Sequence, residues 1–248
     1  MNGLRGGALG LAREVIASGR HPLALLDLDL TLIDNGPRTR AILKQWVSGL
    51  SGRLDRAAWD AAMERVQVMP LVFSIRNNLL RVLGTELGAA DMETAGLAKE
   101  GFHLWLQHFF DPAWLVHDVA LEGAVESAWE LVNSEVTVVY VTARKVDMAA
   151  GTVASLKALG FPIGGPYTTL ITNDHPTRSD HDSKVVALEY CARLGTVVLN
   201  AENEPAHANA MHRRFPEALT VLVATRHSEP APPLDEGVVR VPRLADAL

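Results

Sequence analysis

Two carboxylates separated by one residue close an apolar run near the start of the chain: Leu23-Ala24-Leu25-Leu26-Asp27-Leu28-Asp29-Leu30-Thr31-Leu32. The apolar residues that follow Pro22 have the character of a strand buried on both faces, as in a parallel sheet. A carboxylate at the end of such a strand is costly to bury unless it is paired, hydrogen-bonded or metal-bound. In an extended chain Asp27 and Asp29 project to the same side, because the side-chain period is two. Like charges that close either attract a divalent cation or push one pKa upward. Phosphoryl-transfer chemistry can use both outcomes. On these residues alone, a strand end with two solvated aspartates is an equal alternative.

The elements that must position these residues follow from periodicity. From Asp118 onward, helical and β-branched segments alternate. A helix around Val125 to Asn133 precedes the strand Val136 to Val141. A helix from about Asp147 to Leu159 stops at Gly160, with Pro162 just beyond. A short strand Thr168 to Ile171, a polar loop and a helix from about Ser183 to Leu194, closed by Gly195, come next. The strand Thr196 to Leu199, a helix after Pro205 and the strand Leu219 to Ala224 complete the pattern, and Val238 to Val241 forms a further edge strand. Alternation of this kind implies an α/β fold, a Rossmann-like parallel sheet covered by helices on both faces. Functional groups gather at the carboxyl ends of such strands.

Residues 36–117 differ. Their periodicity is helical, β-branched clusters are scarce, and turns punctuate them at Gly49, Gly52, Pro70, Gly84, Gly88 and Pro112. They are expected to form a mostly helical cap domain inserted into a core made of residues 1–35 and 118–248. Within the insertion, Arg76, Asn77 and Asn78 interrupt an apolar stretch and are candidates to meet a phosphorylated substrate. The tryptophans and phenylalanines there are expected in the core, and His103, His108 and His117 in structural roles.

Composition narrows the function classes. The 248 residues are 48% hydrophobic and 21% charged, as in an ordinary globular chain. A formal net charge of −6 disfavours nucleic acid or an anionic membrane as partner. The single cysteine, Cys191, excludes an intrachain disulfide and is expected to be a small core residue. Met1 to Arg20 lacks a long apolar segment, carries Arg5, Arg13 and Glu14, and has the pattern of a short amphipathic helix ending at Gly19. With no stretch of about 18 apolar residues, a cytoplasmic location is expected.

Four segments fall at strand ends, and together they resemble the haloacid dehalogenase (HAD) superfamily of aspartate-nucleophile phosphatases and their relatives. The likeness spans roughly residues 20 to 225, with the insertion where that family carries its first-type cap. Asp27-Leu28-Asp29-Leu30-Thr31 is similar to the family's D-x-D-x-T motif, which implies Asp27 as nucleophile and Asp29 as general acid and base, with its backbone carbonyl on a metal. Val141-Thr142-Ala143-Arg144 resembles the second motif, where Thr142 holds the transferring phosphoryl group. Ala143 and Arg144 are further phosphate-binding candidates, with a solvated Arg144 as an equal alternative; taken alone, Thr142 also fits a helix N-cap, the lesser of its two readings. Lys184 resembles the third-motif lysine, with Arg178 as its competitor. A cation in a first helical turn opposes the macrodipole, which argues for a purpose such as pairing with Asp27. The loop between them collects His175, Asp180, His181 and Asp182, in the manner of polar loops generally.

The fourth segment, Leu199-Asn200-Ala201-Glu202-Asn203-Glu204-Pro205, departs from the family pattern of aspartates just beyond a strand. Placing Pro205 on the proline that often follows them puts Glu202 and Asn203 at the magnesium-ligand positions, with Glu204 as the fallback. Magnesium accepts a Glu oxygen directly or through water. The resemblance therefore implies a Mg²⁺-dependent phosphomonoester hydrolase acting on a small phosphorylated metabolite. A sugar-phosphate mutase or other phosphotransferase uses the same residues. A non-catalytic phosphometabolite binder is favoured only by the altered fourth segment, and a dehalogenase is disfavoured by Asp29.

Overall fold

The computed structural model describes residues 7–86 and 88–248, so Arg5 of the N-terminal segment lies outside the described residues. Two compact units divide the chain, one of residues up to Asp34 together with Val119–Leu248, the other Asn35–Asp118.

The first unit holds the strands β1 (Pro22–Leu26), β2 (Ile33–Asp34), β3 (Val119–Ala120), β4 (Thr137–Lys145), β5 (Thr168–Asn173), β6 (Thr196–Glu202), β7 (Leu219–Val223) and β8 (Val238–Val241). Six of them form one parallel sheet in the order β5-β4-β1-β6-β7-β8. Its helices are α1 (Gly7–Ala17), α6 (Ala124–Asn133), α7 (Ala149–Leu159), α8 (Asp180–Cys191) and α9 (Pro205–Arg214), and α2 to α5 belong to the second unit. β1 explains why its apolar run does not alternate. Leu23 and Leu25 pack with Val139, Leu188, Cys191 and Met211, whereas Ala24 and Leu26 pack with Ala8, Ala12, Leu131 and Tyr140. A strand with a separate core on each face must be apolar throughout.

Several boundaries move from their expected places. α8 starts at Asp180 rather than Ser183, because Ser179 caps it by accepting the Asp182 N–H at 3.0 Å. Gly195 does not close α8, which ends at Cys191. A Cβ at Gly195 would lie 2.5 Å from the His21 carbonyl oxygen, so glycine is needed there for close approach to the start of β1. The short antiparallel pair β2–β3 has no counterpart in the periodicity. It joins Asp34 to Val119, the last residue before the second unit and the first after it.

The second unit contains α2 (Gly36–Gly49), α3 (Arg56–Val68), α4 (Ile75–Val82) and α5 (Met92–Phe109), followed by a 3-10 turn over Pro112–His117. Leu43, Trp46, Val47, Val66, Leu79, Val82 and Leu97 form its own core. Arg38 in the first turn of α2 lies 3.0 Å from Asp118, the last residue of the unit, so an ion pair ties its two ends together.

Candidate active site

β1 lies at the centre of the sheet, where the chain turns to β4 on one side and to β6 on the other. Crevices of parallel sheets open at such a point, beyond the carboxyl ends of the strands. The registers Leu26↔Tyr140 and Leu26↔Ala201 set the end of β1 beside the middle of β4 and the last residues of β6. Asp27 follows at once, with its backbone N–H donating to Ala201 O at 3.0 Å. The chain then turns sharply. Leu30 adopts a left-handed φ of 64°, and the Leu28 carbonyl accepts the N–H groups of Leu32 and Ile33, both at 2.9 Å. This turn folds Thr31 back, so that its hydroxyl donates to Asp27 Oδ2 at 2.7 Å.

Lys184 donates its ammonium to Asp27 Oδ1 at 2.7 Å and also to Glu202 Oε2. All three side chains are buried. Two carboxylates sharing one ammonium leave a net negative charge in low dielectric. Burial, and then the Glu202 charge, push Asp27 up from 3.8 to about 6, against the pull of Lys184 and Thr31. Burial works to discharge Lys184, but Asp27 and Glu202 outweigh it and hold the ammonium protonated, above its ordinary range. Lys184 is the fifth residue of α8 rather than a member of its first turn, so the two carboxylates, not an exception to the helix dipole, account for its place. Arg178, the competing cation, pairs instead with Asp174.

Asp29 and Arg144 meet in a two-pronged ion pair. Nε donates to Oδ2 at 2.7 Å and Nη2 to Oδ1 at 2.9 Å. Arg144 is buried, and this pair turns its guanidinium toward Asp29. Thr142 lies within β4 and is not a helix cap, since α7 begins only at Ala149. Its hydroxyl accepts the Arg144 N–H at 3.2 Å. Ala143, between them, is half-buried at the end of β4.

The fourth segment differs most from expectation. Glu202 was placed as a metal ligand, yet its Oε2 holds Lys184 and its Oε1 accepts the backbone N–H groups of Asn203 (3.0 Å) and Glu204 (3.1 Å). The extra methylene lets it reach back to the lysine. Glu204 is not a fallback either, because its carboxylate accepts the Ser228 hydroxyl at 2.6 Å and the Ser228 N–H at 3.0 Å. Asn203 remains. Its Nδ2 donates to Arg226 O at 2.7 Å, which turns Oδ1 toward Thr31 Oγ1 at 3.3 Å. Thr31 has a single hydroxyl proton and lies nearer Asp27, so Asn203 Oδ1 is a buried acceptor that shares that donor at 3.3 Å.

A hard divalent cation suits that arrangement, since it takes oxygen ligands from carboxylates and amides alike. Asp27 Oδ2 and Asn203 Oδ1 flank the same hydroxyl. The fit is lean in charge, for the described residues include no cluster of three or more His, Cys, Asp or Glu able to hold a metal. In the polar loop before α8, Asp174 pairs with Arg178, and Asp182 completes the Ser179 cap.

Two features escaped the sequence reading. The segment Thr225–Ser228 stitches the strand ends together: Thr225 Oγ1 donates to Leu30 O, the Arg226 carbonyl orients Asn203, Arg226 pairs with Asp34 at 3.0 Å, and Ser228 occupies Glu204. His207 lies with Nδ1 3.8 Å from Glu202 Oε2, and its ring stacks on His181 at 5.6 Å. Burial, and then the Lys184 charge, pull His207 down to about 4, so it is neutral at pH 7. Its only sequence signal is a histidine in the first turn after Glu204-Pro205.

The insertion residues belong to the second unit. Arg76 places its guanidinium over the Phe102 ring at 5.1 Å, and the Asn77 N–H is capped by Ser74 Oγ at 3.3 Å. Asn78 is buried and clamps both backbone polar groups of Val72, so it is a structural residue rather than a substrate contact.

Neither a family model nor a curated protein matches the chain. Among solved structures it is similar to a haloacid dehalogenase-superfamily hydrolase, subfamily IA, variant 1, from Geobacter sulfurreducens PCA. That match has 14% identity and a TM-score of 0.52, and covers 97% of this chain and 95% of the other. The chain has the haloacid dehalogenase-like fold. It is also similar to protein tyrosine kinase A of Mycobacterium tuberculosis, with 13% identity and a TM-score of 0.50, over 92% of this chain and 95% of that one. One neighbour is named a hydrolase and the other a kinase, so the chemistry has to be argued from the site. No described helix of this chain is long and apolar enough to cross a membrane.

Proposed function

We propose that this protein is a phosphomonoester hydrolase that works through an aspartyl-phosphate on Asp27. The observation that carries this reading is the buried Asp27, held at one oxygen by Lys184 and at the other by Thr31, at the end of the central strand. A carboxylate restrained on both oxygens is aimed rather than mobile, which lowers the entropy of attack. An Asp27 oxygen bonds to phosphorus as the bond from phosphorus to the ester oxygen breaks, and Asp29 gives its proton to the departing alkoxide. Asp29 then takes a proton from the water whose oxygen attacks phosphorus, and the bond to Asp27 breaks.

Lys184 neutralises charge on the phosphoryl oxygens, and the Thr142 hydroxyl with the Ala143 backbone supplies further contacts to them. Asp27 Oδ2, Asn203 Oδ1 and the Asp29 backbone carbonyl would hold Mg²⁺. When bound, Mg²⁺ supplies Lewis-acid stabilisation of the phosphoryl charge. Arg76 and Asn77 are proposed contacts for the non-reacting part of a small phosphorylated substrate.

The test is phosphate release from a panel of small phosphomonoesters, with Mg²⁺ and with EDTA, by the wild type and by Asp27→Asn. Metal-dependent release by the wild type, reduced at least about a thousandfold in the variant, is expected for loss of a covalent nucleophile. Equal release by the two proteins overturns the mechanism. No release from any ester by the wild type favours a binder or a phosphotransferase instead.

A further inference from the structure

Arg144 stands in the one strand-end segment expected to contact phosphate, yet both prongs of its guanidinium face a carboxylate of its own chain. From the geometry we infer that Arg144 is the positioning residue of Asp29, not a ligand of the phosphoryl group. This rests on the reading of Asp29 as general acid and base.

Arg144 is itself firmly placed. It is buried, its backbone N–H donates to Thr142 Oγ1 at 3.2 Å, and its Nη1 reaches the buried Thr152 hydroxyl of α7 at 3.4 Å. Asp29 opens the left-handed turn at Leu30, and its side chain is 27% exposed. A planar fork on both carboxylate oxygens removes the rotation about the terminal side-chain bond, which a single lysine contact leaves free. Proton transfer to the leaving group depends on that orientation, whereas the attack of Asp27 on phosphorus does not. Arg144 is thus coupled to the proton transfers of Asp29, of which kcat/KM reads only the first, to the leaving group. The consequence depends on the leaving group: an alkyl phosphate needs its alkoxide protonated, and p-nitrophenyl phosphate, which expels a stable phenolate, does not.

The experiment compares kcat/KM for an alkyl phosphate and for p-nitrophenyl phosphate in wild type, Arg144→Lys, Asp29→Asn and the double variant, with inorganic phosphate as competitive inhibitor. The expected result is a loss of about 100-fold for the alkyl ester in Arg144→Lys, on the scale of general-acid catalysis. The nitrophenyl ester should change less than about threefold, phosphate inhibition should be unaltered, and Arg144→Lys should have no further effect in the Asp29→Asn background. Equal losses on both esters, or weakened inhibition by phosphate, overturn the inference and leave the phosphatase reading standing. Absence of release from both esters by the wild type overturns the phosphatase reading and the inference with it. A second measurement needs no variant to fold. The Nε–H resonance of Arg144 should hold its position when inorganic phosphate is added to the wild type, and a large shift on addition counts against the assignment.

Discussion

At Asp27, Lys184 and Glu202, three charges occupy a buried space with only one cation among them. Asp27 bears the strain, because Glu202 adds to the effect of burial. Neutralising Glu202 removes a repulsive charge and leaves Lys184 wholly to Asp27. In the metal-free protein, Glu202→Gln should therefore bring the ionisation of Asp27 below pH 6, as followed by carboxyl carbon resonances; an unchanged or higher value refutes the three-charge account. The same shift governs stability. The folded value of about 6 lies above the ordinary 3.8. The contribution of Asp27 is thus fully present below the unfolded value and lost as pH rises through 6. In EDTA, Asp27→Asn should be more stable than wild type above pH 6, and the gain should vanish below pH 4, by denaturant unfolding. His207 acts oppositely, since its value falls to about 4 and its contribution is lost as pH drops from 6.5. The Asp27 charge opposes that shift, so His207 falls further in Asp27→Asn and its contribution does not cancel wholly in the comparison.

The elements that carry these residues are terminated with different degrees of local optimisation. α8, bearing Lys184, has a serine cap whose acceptor and donor are both used by Asp182. α6 ends less favourably. Its Glu135 takes a left-handed φ of 61° in a Schellman arrangement, with Glu135 N–H on Val132 O at 3.1 Å and Val136 N–H on Leu131 O at 3.0 Å. A residue with a Cβ is strained there, whereas glycine is not. Glu135 is exposed to solvent. Glu135→Gly should then stabilise the protein by about 1 kcal/mol, the cost of placing a non-glycine residue in that conformation. A denaturant midpoint that stays put or falls rules this out. At Leu30 the same substitution is not expected to help, since its left-handed backbone comes with a buried side chain whose packing would be lost.

At the scale of the whole chain, Asp34 and Val119 are paired across β2–β3, so the two crossings between the units leave and return at adjacent residues. Each unit also has its own core. A chain in which a two-residue Asn-Gly turn replaces residues 35–118 meets the geometry of a tight hairpin. Such a protein should unfold cooperatively, with an m-value reduced in proportion to the surface removed. A molten product, with native-like far-ultraviolet but no near-ultraviolet circular dichroism, refutes the independence of the α/β unit.

The D-x-D pair, the strand ends that carry Thr142 and Asn203, and the alternation of helices with apolar strands were legible in the sequence. Each is written in a local pattern: a side-chain period, a cap, a run of β-branched residues. The partners were not. Asp29 meets a residue 115 positions away, Lys184 joins Asp27 across 157, and Thr225 reaches Leu30 across 195. Which carboxylate faces which cation depends on the registers of β4 and β6 against β1, and no local periodicity encodes a register between distant strands. Composition and spacing alone determined an α/β chain with acidic strand ends. Only the tertiary structure turned Glu202 toward Lys184, left Asn203 facing Asp27 and Thr31, and closed Arg144 on Asp29, because burial obliges every charge to find its partner from whatever the sheet brings near.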